Sequence, residues 1–183
     1  MPVRHRRRGL AQDSSGVAMA DANRSLGPVS LDRRAERLVV LGMRGWLAGY
    51  ETGDIACWEA VWDDFCRELG PARAKRVVSE LAGWIRVLRA GACRTIDCYP
   101  RPCKFMCRDE CLALRLVSGC QKGMRPLACD SACQLIADAR IEELVSAAEC
   151  LAAELAEAGL ELEPISDEAM IALGERPAPA ALS

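Results

Sequence analysis

An all-α helical bundle of about six helices is the fold this sequence predicts, on three observations. Apolar residues recur at helical spacing through most of the stretch from residue 30 to residue 160. Nothing alternates at period two for long enough to build a sheet, LELEP at 160–164 being the one candidate. Glycine and proline fall between the amphipathic segments, so connections are short and neighbouring helices run antiparallel.

Ser30 reads as the cap of a first helix, from Leu31 to about Gly49. Leu38, Val39, Leu41, Met43, Trp46 and Leu47 make it apolar nearly all round, which suggests burial. Asp54 caps a second, Ile55 to Leu69, with Trp58, Val61, Trp62, Phe65 and Leu69 on one face. Pro71 opens a third, whose stripe is Val77, Val78, Leu81, Trp84, Ile85 and Leu88, stopped at Gly91. The four tryptophans, Trp46, Trp58, Trp62 and Trp84, all fall at expected core positions.

Residues 92–102 form a loop with two prolines. A fourth helix is expected from about Pro102 to Ser118, then a turn around Gly119–Gly123 and a fifth helix from about Arg125 to Ala139. A sixth, Ile141 to Glu157, carries Leu144, Ala148, Leu151 and Leu155, and one turn of helix is expected after Ser166. The organisation is a flexible basic tail at 1–29, a single helical domain at 30–160 and a Pro/Ala-rich tail at 161–183. Within the domain, 30–91 is a tryptophan-rich three-helix unit and 92–160 a cysteine-bearing antiparallel hairpin plus a closing helix. Met19 is an alternative translation start.

Composition narrows the function classes. The net charge of −2 argues against a protein devoted to nucleic acid or an anionic membrane. The basic residues Arg73, Lys75 and Arg76 open helix three, but two adjacent amphipathic helices explain that segment without DNA. No apolar run follows the basic N-terminus, and none approaches the roughly 18 residues of a membrane span, so the expected setting is cytoplasmic. The single histidine, His5, lies in the tail. The folded part therefore has no Ser-His-Asp or Cys-His group, no HExxH zinc site and no histidine for haem. It has no phosphate-cradling glycine loop either. An enzyme is not indicated.

The eleven cysteines are what remains. In a reducing compartment they point to metal or redox chemistry rather than structural disulfides. On an ideal helix Cys103, Cys107 and Cys111 lie within about 80° of one another, one per turn. Lys104, Arg108 and Arg115 flank that stripe, and the helix N-terminus falls at Cys103, both of which favour thiolate. Thiols one turn apart have Cβ atoms about 5–6 Å apart, too far for the roughly 3.5–4.5 Å of a disulfide, yet able to share an ion. Cys129 and Cys133 repeat the spacing, giving C-x3-C-x17-C-x3-C over 107–133. A turn centred on Cys120 sets Cys107 against Cys133 and Cys111 against Cys129. If Pro126 begins helix five, the turn centres nearer Lys122 and Cys111 faces Cys133.

The C-x3-C pairs resemble those of copper storage proteins, whose helices point thiolates into a Cu(I)-holding core. That resemblance spans residues 103–133 only, and those bundles carry many more such pairs. The twin spacing is also similar to that of the small import chaperones of the mitochondrial intermembrane space, which close the pairs as disulfides. Those chains are much shorter, and the likeness stops at the spacing.

The expected metal ligands are Cys103, Cys107, Cys111, Cys129 and Cys133, with Cys93 and Cys98 as further candidates. The ion would be Cu(I), zinc or an iron–sulfur cluster, since thiolates are soft donors. Storage, delivery or sensing would follow, with a metal donor, a metal acceptor or a regulatory protein as partner. The alternatives are a regulatory or interaction protein with structural cysteines, and a thiol-redox sensor. Cys57 and Cys66 read as core-edge packing, and Cys150 lies off the stripe of its helix.

Overall fold

The computed structural model describes residues 29–174. The basic tail with His5, the Met19 start and the end of the Pro/Ala-rich tail lie outside the described residues, apart from Val29 and the stretch up to Gly174.

Among the described residues the chain is all-α, with seven α-helices and no strand. They are α1 (Arg34–Thr52), α2 (Ala56–Leu69), α3 (Pro71–Gly91), α4 (Arg108–Gln121), α5 (Arg125–Cys133), α6 (Ile141–Glu157) and α7 (Asp167–Gly174). A 3-10 turn, Asp138–Arg140, leads into α6. Only an isolated bridge pairs Ser30 with Phe105. α1 packs on α2, α2 on α3, α3 on α6, and α6 on the α4–α5 hairpin.

The stripes read for the third and sixth helices are buried faces, and of the second helix's stripe Val61 and Phe65 are buried while Trp58, Trp62 and Leu69 are not. Val61 and Phe65 of α2, and Val77, Leu81, Trp84, Ile85 and Leu88 of α3, are all buried. So are Leu144, Leu151 and Leu155 of α6. One apolar cluster runs from Leu31 through these helices to Met170. The junction of α2 and α3 is one residue, Gly70, at φ 76°, a backbone region open to glycine without strain.

Five expectations change. Ser30 does not cap α1. The helix begins at Arg34, because Val29–Leu31 runs extended against the 104–106 segment, where the Leu31 amide donates to Lys104 O (2.9 Å) and the Met106 amide to Val29 O (2.9 Å). The fourth helix starts six residues later than expected, and those same bonds are part of the reason: they use backbone groups that a helix from Pro102 would need. The fifth helix is shorter, ending at Cys133. The turn after Ser166 is a two-turn helix, α7. Of the tryptophans only Trp84 is fully buried; Trp62 is 38% exposed, and Trp46 and Trp58 are half-buried. Trp58 lies across Gly49, where a Cβ would come within 2.2 Å of the indole nitrogen, and donates to Trp46 O at 3.2 Å.

The LELEP segment alternates as read but pairs with a side chain instead of a strand. Leu160 and Leu162 are buried. Gln121 stands in for the missing strand, its Nε2 donating to Leu160 O (2.9 Å) and its Oε1 accepting from the Leu162 amide (2.7 Å).

Candidate functional site: a cysteine loop pinned by a buried ion pair

The segment between α3 and α4 carries Cys93, Cys98, Cys103 and Cys107 with no regular structure over most of its length. Such a loop has backbone groups that need partners. Arg44, the one charge in the apolar run from Leu38 to Tyr50 of α1, supplies many of them. Its Nη1 donates to Cys103 O (2.7 Å) and its Nη2 to Phe105 O (2.6 Å), with longer contacts to Pro100 O and Arg101 O.

The charge itself is answered by Glu110 in the first turn of α4. Arg44 Nε donates to Oε1 at 2.5 Å and Nη2 to Oε2 at 2.9 Å, a two-pronged pair. The two side chains are 2% and 0% exposed. The free lone pairs of Glu110 accept the amides of Tyr99 (3.1 Å) and Cys107 (2.9 Å). Its neighbour Asp109, also buried, accepts two bonds from Arg94 and one from the Asp97 amide (2.9 Å). Arg101 ties the loop to α2 through Asp64 and Ala60 O.

Four of the expected ligands sit on or beside this frame. Cys107 is not the second rung of a helical ladder but the residue that caps α4. Its sulfur meets the amides of Asp109 and Glu110 and donates to Asp97 O at 3.0 Å. Asp97, whose carbonyl that sulfur meets, is the neighbour of Cys98, and Cys111 follows one turn on, its amide donating to Cys107 O at 3.1 Å. Cys103 is in the loop, on the Arg44 side together with Cys98. The stripe of three thiols on one helix is therefore replaced by a chain, Cys98–Cys107–Cys111, with Cys103 beside it.

The ionisation of these thiols runs against expectation. Burial, followed by the Glu110 carboxylate, pushes Cys107 up to about 12, outweighing the two amides that favour thiolate. Burial also raises Cys98, helped by Glu110 and Cys107 and opposed by Arg44. Cys111 is raised by burial, then by Cys107 and Glu110, with Arg108 opposing. The basic flank is spent elsewhere: Arg108 bonds Gln134 and Met170 O, and Arg115 bonds Asp167.

The remaining candidates separate from this group. The hairpin has the register of a helix opened near Pro126, with Arg108 bonded to Gln134 and Gly119 against Ala128. Cys133 is exposed whereas Cys111 is fully buried. Cys129 is half-buried and follows Ala128, which stands against Gly119, the residue before Cys120. Cys93 is exposed at the start of the loop. Among the described residues no three His, Cys, Asp or Glu side chains stand close enough together to hold a metal ion, and no helix is long and apolar enough to cross a membrane.

Beside the loop, α1 and the start of α2 wall an open cleft of about 630 Å³. Cys57 and Cys98 both line it, with Arg44, Glu51, Asp97 and Arg101. Sequence reasoning missed Arg44, Asp109 and Glu110. The signal for Arg44 was a lone charge amid the apolar run of α1; the acidic pair looked like ordinary first-turn residues. No protein-family model, no curated protein and no solved structure matches the chain.

Proposed function

We propose that this chain is a thiol-based binder of a soft metal ion, acting in storage, delivery or sensing in a reducing, cytosolic setting. The observation that carries the reading is that Cys107, its sulfur on the carbonyl beside Cys98 and one turn before Cys111, sits with Cys103 on a segment held by the Arg44–Glu110 pair. A metal ion would displace the thiol protons, and small side-chain rotations would have to draw the sulfurs together. Sulfur is the main donor on offer, since the described residues contain no histidine. That favours Cu(I), zinc or an iron–sulfur cluster over hard cations.

The test is an anaerobic titration of the full chain with Cu(I) and with Zn(II) against a chromophoric chelator, with analysis of copper, zinc and iron as purified. Stoichiometric binding is expected, weakened at least tenfold in Cys107→Ser/Cys111→Ser and retained in Cys129→Ser/Cys133→Ser. Visible charge-transfer absorption in the purified protein would assign an iron–sulfur cluster. Absence of stoichiometric metal in every form overturns the reading.

A second reading has its own support. Protonated, buried thiols pack like small apolar side chains, and Cys98, Cys107 and Cys111 are held in that form. On this reading the protein is a helical interaction module with structural cysteines. It predicts that Cys107→Ser/Cys111→Ser alters stability while no metal is bound.

A further inference from the structure

Cys120 and Cys129 lie outside the Arg44–Glu110 frame, where α4 meets α5. The geometry follows from one close approach. Gly119 of α4 faces Ala128 of α5 so nearly that a Cβ on Gly119 would stand 3.2 Å from Ala128 N and 3.4 Å from its Cβ. The two helices run antiparallel. One residue onward turns a side chain by about 100°, and in antiparallel helices those turns carry both side chains to the same side of the pair. Cys120 and Cys129 are those next residues.

The side they share is the one covered by α6. The Cys120 thiol points at Val145 O (3.9 Å). Arg125, one turn before Cys129 and within reach of its charge, bonds Glu142 and Glu149 of α6. Glu149 and Arg125 stand beside Cys120 on that side. Both residues are half-buried, so a small reagent can reach them.

We propose that Cys120 and Cys129 are a reversible dithiol–disulfide pair that staples α4 to α5 across the Lys122–Met124 turn. The oxidant is a small-molecule disulfide of the glutathione class. The Cys129 thiolate attacks one of its sulfurs, the S–S bond breaks, and one small thiolate leaves. The Cys120 thiol then gives its proton to solvent and attacks Cys129 Sγ, forming the protein disulfide and releasing the second small thiol. Two protein thiols are oxidised by two electrons, and one small disulfide is reduced to two thiols.

The test equilibrates the full chain in buffers of oxidised and reduced glutathione, traps free thiols by alkylation, and maps tryptic peptides. Cleavage after Arg115, Lys122 and Arg140, with the Arg125–Pro126 bond resisting, puts Cys120 in residues 116–122 and Cys129 with Cys133 in residues 123–140. The expected product joins these two peptides through Cys120 and Cys129. It should persist in Cys133→Ser and vanish in Cys129→Ala. Its formation should raise the thermal midpoint by roughly 5 °C or more, because the unfolded chain is then cross-linked. Free, alkylated Cys120 in the fully oxidised protein, or a link through Cys133, overturns the proposal. Cys129→Ala serves as a folding check, since alanine at this half-buried position leaves the helix intact, and its circular dichroism should match that of the unaltered chain.

Discussion

Arg44 is the residue on which the cysteine loop depends, because its guanidinium meets both a buried carboxylate and several loop carbonyls. Removing one partner of such a pair strands the other charge in a low-dielectric interior. Arg44→Met should therefore cost about 3–5 kcal/mol, and Glu110→Leu a comparable amount. The double variant should recover part of that loss, since no lone charge is left, but not all of it: the loop carbonyls that Arg44 served stay unpaired. Urea midpoints for the four proteins would give the cycle. A single Arg44→Met change costing less than about 1 kcal/mol, the level of an ordinary substitution, would remove the pair from its structural role. Cys98 and Cys103 should also alkylate faster in Arg44→Met, because their loop loses its anchor.

At the scale of elements, the extended 160–162 segment shows one side chain replacing a strand. Gln121 gives and takes a hydrogen bond with the backbone of Leu160 and Leu162, whose side chains point into the core. Gln121→Ala leaves the Leu162 amide without a partner, at a cost of about 1–3 kcal/mol. Hydrogen exchange at that amide should quicken well before exchange in α3 or α6; unchanged protection would mean that Leu160 and Leu162 hold the segment by packing alone. The same element explains what the sequence revealed. α2, α3 and α6 carry stripes such as Val77–Leu81–Trp84–Leu88, and burial follows the stripe wherever local pattern and tertiary packing agree. The start of α4 was not legible, since local spacing at Cys103 and Cys107 favours helix. What decides it is remote: Val29 and Leu31 claim Lys104 O and the Met106 amide, and Arg44 claims the carbonyls of Cys103 and Phe105. The cysteine group was legible as a group, not as a ladder. Cys107 and Cys111 stand one turn apart, as their spacing has them, whereas bringing the loop at Asp97–Cys98 up to Cys107 requires the tertiary fold.

Taken over the whole molecule, the raised thiols make stability depend on alkaline pH. Cys98, Cys107, Cys111 and Cys120 are all pushed up, in each case first by burial. In the unfolded chain a thiol titrates at about 8.5. Below that pH the four are protonated in both states and add no slope. Above it the unfolded chain releases protons that the folded chain keeps, so the unfolded state binds fewer protons and folding stability falls as pH rises. The loss for each thiol is at most about 1.4 kcal/mol per pH unit, and less for the half-buried ones. The window is roughly pH 8.5 to 10, below the ordinary lysine range, where Lys122, raised by its bond to Glu161, would add a loss of the same sign. Urea unfolding under nitrogen with a phosphine reductant, at pH 7, 8, 9 and 10 (values on the order of one unit apart across that window), should show a flat midpoint to about pH 8 and a steady fall beyond. Cys107→Ser should fall less steeply, because one of the four proton releases is gone. A midpoint that holds level to pH 10, or a Cys107→Ser slope equal to that of the unaltered chain, would mean that these thiols ionise as easily in the folded protein as in water.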